Sequence, residues 1–172
     1  PPWLAEGTAQ YMYEGADWDN WDTHRDMILR DRVMNNSLLT LTEMNTFGKS
    51  GIGNESTYNA GYKFCRFIAL SYGADKLKEI VLALSSPLQF SVNSAIEKSI
   101  GISGNELYDL YKKSLENGYD LLTQSMRSTE VQGRIIAGKG TANLHPVWSP
   151  NGKHIAYLSN EENDYFGQTD LF

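Results

Sequence analysis

The chain has a single cysteine, Cys65, in 172 residues. That excludes an internal disulfide and any metal cluster built on several thiolates. Lying in an apolar helical run, Cys65 is expected to serve as a small buried hydrophobe. Histidine is scarce too. His24, His145 and His154 are the three present, and none has a second histidine four residues away, so the sequence holds no His-Glu-x-x-His pair for zinc. Basic residues are outnumbered, 15 Lys and Arg against 21 Asp and Glu, for a net charge of −6. Nucleic acid is therefore excluded as a partner, because phosphate binding needs clustered cations. No apolar run approaches the length of a membrane span. An initiator methionine and a signal peptide are both lacking, so the native N-terminus is expected upstream of Pro1. What is present is ample for a core, with 41% hydrophobic and 12% aromatic residues.

The first eleven residues, Pro1-Pro2-Trp3-Leu4-Ala5-Glu6-Gly7-Thr8-Ala9-Gln10-Tyr11, carry the strongest signal. Proline suits the first turn of a helix, whose amide hydrogens lack partners anyway. Trp3, Leu4, Ala5 and Ala9 are expected to face a core, which sets Glu6 among apolar neighbours. An ionised carboxylate there needs a cation, a donor or a metal to offset desolvation. The plainer alternative is a partly exposed carboxylate near the positive end of the helix dipole. Gln10 lies one turn further on the same face, as a surface residue or as a supporting contact to Glu6.

The spacing predicts a helix over 3–14 ended by Gly15. The acidic, aromatic stretch Asp17-Trp18-Asp19-Asn20-Trp21-Asp22 reads as a loop leading into a helix over 23–35. Its alternating aspartates invite a calcium reading, but the glycine and distal glutamate of an EF-hand loop are missing. Residues 37–56 are expected to be mostly irregular, with Gly48, Gly51 and Gly53. A helix over 57–72 follows, with Tyr58, Tyr62, Cys65, Ile68 and Tyr72 on one stripe and Phe64 and Phe67 on another. Helices over 75–84 and 89–99 come next. Ser103-Gly104-Asn105-Glu106 is a capping box opening a long helix whose apolar face is Leu107, Tyr111, Leu115, Tyr119 and Leu122. The fold class is therefore mainly α, with a helical domain over 1–127. From 128 to 172 the pattern turns to β: a strand near Val131, Ile135 and Ile136, a Ser149-Pro150-Asn151-Gly152 turn and a strand over 155–159. His24 reads as a surface helix residue, and His145 and His154 as turn and strand positions.

Trp3-Leu4-Ala5-Glu6-Gly7-Thr8-Ala9-Gln10-Tyr11 resembles the W-L-x-E-G-x-A-x-Y helix of gluzincin metallopeptidases, the zinc aminopeptidase-like superfamily. The resemblance implies that Glu6 is the third zinc ligand, beside two histidines and a general base from an upstream His-Glu-x-x-His helix. Two histidines and a carboxylate are a standard catalytic zinc set, with the fourth position left to the attacking water. Downstream, Tyr58-Asn59-Ala60-Gly61 matches the Tyr-x-x-Gly of such enzymes, whose tyrosine stabilises the oxyanion. Read from the residues alone, Tyr58 is equally a core or rim aromatic. Gly61 allows close approach of a neighbouring backbone.

The segment His145-Pro146-Val147-Trp148-Ser149-Pro150-Asn151-Gly152-Lys153-His154-Ile155-Ala156-Tyr157-Leu158-Ser159 resembles one TolB-type β-propeller repeat, with Asn151 where Asp is usual. One repeat cannot bury its own faces. The two resemblances together imply a mainly α, C-terminal half of a peptidase domain over 1–127 and an incomplete propeller over 128–172. The implied activity is peptide-bond hydrolysis by zinc-activated water, with zinc bound in the intact parent and not by this chain alone. Partners would be a peptide or protein substrate, and the location periplasmic or exported. The alternative is a non-catalytic peptidase-like scaffold whose propeller binds protein. An upstream His-Glu-x-x-His would separate the two.

Overall fold

The computed structural model describes residues 1–13, 23–48, 54–87, 91–163 and 167–172, apart from the side chains of residues 23, 24 and 54–56. Two compact units divide it, Pro1–Ser128 and Thr129–Phe172.

The first unit holds α1 (Pro2–Met12), α2 (Thr23–Met34), a 3-10 turn at Glu43–Asn45, α3 (Asn54–Tyr72), α4 (Asp75–Leu84), α5 (Val92–Ile100) and α6 (Gly104–Arg127). Pro1 caps α1 with its carbonyl, which accepts from the Leu4 and Ala5 amides. Helix α1 ends at Met12, short of Gly15, because Tyr13 turns extended at φ −79° and ψ 102°. The expected start of α5 is also corrected: Ser91 is extended, and the helix begins at Val92. Gly101, at φ +92°, closes that helix in the left-handed conformation glycine adopts without strain. The cap of α6 forms as expected, Ser103 Oγ accepting from the Glu106 amide at 3.2 Å.

The core is built on α3. Trp3, Leu4, Leu29, Met44, Phe64, Cys65, Ile68, Leu77, Ile80, Ile96, Leu107 and Tyr111 are buried in one cluster. Phe64 is its aromatic centre, with ring centroids 4.9 Å from Trp3 and Tyr111 and 5.4 Å from Tyr108. Two tyrosines spend their hydroxyls on carbonyls: Tyr108 donates to Leu39 O and Tyr111 to Ala60 O. Two expectations of the apolar faces fail. Ala5 and Ala9 are exposed, and Gly7 is buried in their place. Leu122 is 54% exposed, while Leu107, Tyr111 and Tyr119 are buried as expected and are joined by Tyr108 and Thr123. Thr123, four residues after Tyr119, continues the spacing of Leu107, Tyr111, Leu115 and Tyr119, and Leu122, three residues after Tyr119, falls beside that stripe.

The second unit is a three-stranded antiparallel sheet, β1 (Asn143–Trp148), β2 (Ile155–Ser159) and β3 (Asp170–Leu171), in the order β1-β2-β3. The expected strand around Val131, Ile135 and Ile136 is absent, and those side chains are exposed. Apolar residues alone do not make a strand where no neighbour offers its hydrogen-bonding edge. The first strand instead contains His145, at φ +52°, where the pairing slips between Leu144 and Val147. Pro146 has no amide hydrogen for the ladder, so a bulge suits the site. The histidine assignments thus exchange: His145 lies in a strand, and His154 lies just before β2. The turn forms as the sequence predicts. Gly152 is at φ +67° and donates to Ser149 O at 2.9 Å, and Asn151 Oδ1 accepts from Ser149 Oγ and the Lys153 amide.

Candidate active site

Helix α1 packs closely on α3. A Cβ built on Gly7 would stand 2.5 Å from the carbonyl carbon and oxygen of Gly61, and one built on Gly61 would stand 2.6 Å from Trp3 O. The two backbones meet directly because neither residue has a side chain. Trp3 anchors one side of this crossing, fully buried, with its indole N–H donating to Asn45 Oδ1 at 3.2 Å. On the other side Thr8 Oγ1 lies 3.7 Å from Cys65 Sγ.

Glu6 precedes Gly7 and is half-buried, on the flank of the face that Trp3 and Gly7 turn to α3. It stands in the second turn of α1, beyond the first turn where the helix dipole is felt most strongly. Tyr58 lies one helical turn before Gly61, also half-buried, with its ring stacked on Phe47 at 5.9 Å and 26°. The glycine of each motif therefore packs on the other, and each motif's polar residue lies within a turn of that contact.

Zinc needs three protein ligands at a catalytic site. Glu6 offers one carboxylate, and among the described residues no three His, Cys, Asp or Glu side chains form a group fit for a metal ion. The described residues do not by themselves make a zinc site. The alternating aspartates Asp17, Asp19 and Asp22, and the side chain of His24, lie outside the described residues. His145 and His154 are exposed, in the other unit.

A larger concavity of about 490 Å³ opens between α2, α3 and α6. Phe67, Leu70, Leu115 and Leu122 supply its apolar wall, and Asp26, Lys63 and Tyr119 its polar end. Asp26 Oδ1 accepts from Tyr119 OH at 2.9 Å and lies 3.3 Å from Lys63 Nζ, with Arg30 3.9 Å from the other oxygen. Burial, then the Asp26 charge, push the Tyr119 phenol well above its ordinary range. Sequence reading did not find Asp26, since an acid on the first turn of a helix looks like ordinary dipole complementation. Asn59 was missed as well. It is 6% exposed beside Tyr58, and its signal was available: a polar residue three positions before buried Tyr62 in an apolar helix.

Compared with protein-family models, with curated proteins and with solved structures, the chain finds no match.

Proposed function

We propose that this chain is the helical C-terminal part of a zinc-dependent metallopeptidase domain followed by the opening repeat of a TolB-type propeller. The observation that carries the reading is the Gly7–Gly61 crossing. It gives a physical reason for a glycine after Glu6 and another three residues after Tyr58, and it couples the two motifs that the resemblance pairs. Glu6 would be the third zinc ligand of the intact enzyme. The two histidines and the general base would come from a His-Glu-x-x-His helix that this sequence does not contain. Tyr58 would donate its phenol hydrogen to the substrate carbonyl oxygen as it gathers charge. On the sheet, Leu144, Val147, Trp148 and Leu171 are 46–73% exposed, which suits a blade that stacks on further blades. An exported parent acting on peptide or protein substrates accompanies this reading by analogy alone.

The test is made on the whole protein encoded by the gene, carrying whatever precedes Pro1. Metal analysis and peptidase assays are run on the unaltered protein and on Glu6→Gln and Tyr58→Phe. Glu6→Gln is expected to lose zinc. Tyr58→Phe is expected to keep zinc and lose about 10²- to 10³-fold in kcat, the usual worth of an oxyanion donor. The 172-residue chain alone is expected to take up no stoichiometric zinc. An upstream segment without His-Glu-x-x-His, or a zinc content indifferent to Glu6→Gln, would defeat the proposal.

A further inference from the structure

Asn59 lies in the turn of α3 that carries Tyr58 and Gly61, and only 6% of it is exposed. Its Oδ1 is buried and accepts no hydrogen bond from the described residues. A buried amide oxygen left in that condition is costly, and native interiors supply it with a partner. Two voids touch Asn59, each of about 10 Å³. A void of about 10 Å³ is the smallest that holds a water, and the water also needs two to four polar partners.

The chemistry of the walls separates these equal voids. The first is bounded by Gln10 of α1, Arg25 and Asp26 of α2, and Tyr62 and Lys63 of α3, with Leu29 as its apolar member. The second is bounded by Ile28, Leu29, Leu38, Leu39 and Ala60, and Arg32 is its polar residue besides Asn59. The Arg32 guanidinium already donates to Ser37 O at 3.3 Å. Within the first void several polar groups are also engaged. Asp26 and Lys63 hold one another, and Tyr62 and Arg25 have interactions of their own, although the buried Nη1 of Arg25 finds no hydrogen-bond acceptor among the described residues and is a further donor for a water there. Gln10 lines the same void from another helix, and its amide can both donate and accept.

We infer that one ordered water is bound in the first void, donating to Asn59 Oδ1 and bridging to the side-chain amide of Gln10. It links α1 to α3 a second time, beyond the glycine crossing. The link falls one turn past Glu6 on α1 and one residue past Tyr58 on α3. The inference stands on void shape and polar chemistry and does not rest on the zinc reading.

Water-selective NMR on the 172-residue chain tests it. A long-lived water is expected to give cross-relaxation peaks to the side-chain amide protons of both Gln10 and Asn59. Asn59→Leu, close to Asn in volume, is expected to abolish the peak at Gln10. Arg32→Leu, on the second void, is expected to leave both peaks intact. If Asn59→Leu does not fold, Gln10→Met at its half-buried position makes the same comparison, with loss of the peak at Asn59. Absence of both peaks in the unaltered chain would overturn the inference. So would their loss in Arg32→Leu, or persistence of the Asn59 peak in Gln10→Met.

Discussion

Cys65 Sγ sits 3.7 Å from Thr8 Oγ1 and 2.9 Å from the point where a Cβ on Gly7 would fall. Burial pushes the thiol up from its ordinary 9.0 to about 12, and the Thr8 contact acts weakly in the opposite direction. Such a thiol is neither nucleophilic nor reachable. Native protein is expected to resist labelling by a soluble thiol reagent, with prompt labelling once urea unfolds it; stoichiometric labelling of the native chain would count against the packing. The same burial sets a pH dependence. The folded thiol keeps its proton up to about 12 while the unfolded one ionises from 9.0, so stability is whole below pH 9 and falls above it. The slope is up to about 1.4 kcal/mol per pH unit for one such group. Tyr108, Tyr111 and Tyr119 are also raised, chiefly by burial, and steepen the loss above pH 10. Urea midpoints should be level from pH 7 to 8.5 and decline beyond, with the earliest part of the decline removed in Cys65→Ala.

At the scale of elements, the decisive feature is that glycine means different things in different helices. The space beside Gly7 is filled by the Gly61 backbone and that beside Gly61 by the Trp3 backbone, whereas Gly118 of α6 has nothing within 4 Å of its would-be Cβ. Gly7→Ala and Gly61→Ala should each destabilise by about 2 kcal/mol or more, since overpacking outweighs the ~1 kcal/mol that helix propensity returns. Gly118→Ala should stabilise by about 0.5–1 kcal/mol, with no steric cost to set against it. Chemical unfolding of the three variants checks this, and a stabilising Gly61→Ala would remove the crossing that carries the proposed function. Sequence periodicity predicted α3, α4 and α6 nearly to their ends, because their apolar stripes and caps are local. It did not reveal that Gly7 outranks Ala5 and Ala9 as a buried residue. That depends on which helix lies opposite, which no local pattern encodes.

On the scale of the whole molecule, the chain is two units, Pro1–Ser128 and Thr129–Phe172, and the second opens with residues 130–142, which make neither helix nor strand. Val131, Ile135 and Ile136 are 64–91% exposed there, and Arg134 stands among them, exposed. Limited trypsin digestion should cut first after Arg134 and leave a product that keeps the far-UV signal of its helices. First cuts inside α2, α3 or α6 would contradict the compactness of the helical unit.

The amino-acid sequence by itself determined the mainly helical character of the first unit, the capped start of α6 and the Ser149–Gly152 turn. Each of these follows from short-range chemistry: caps, turn residues, apolar periods and brief motifs. Only the tertiary structure decided that Gly7 meets Gly61, that Asn59 is buried beside two voids, that Asp26 gathers Lys63, Arg30 and Tyr119, and that Val131 to Ile136 form no strand. Those outcomes join residues far apart in the chain, and they depend on what each backbone finds opposite it. Distance in sequence carries no record of that.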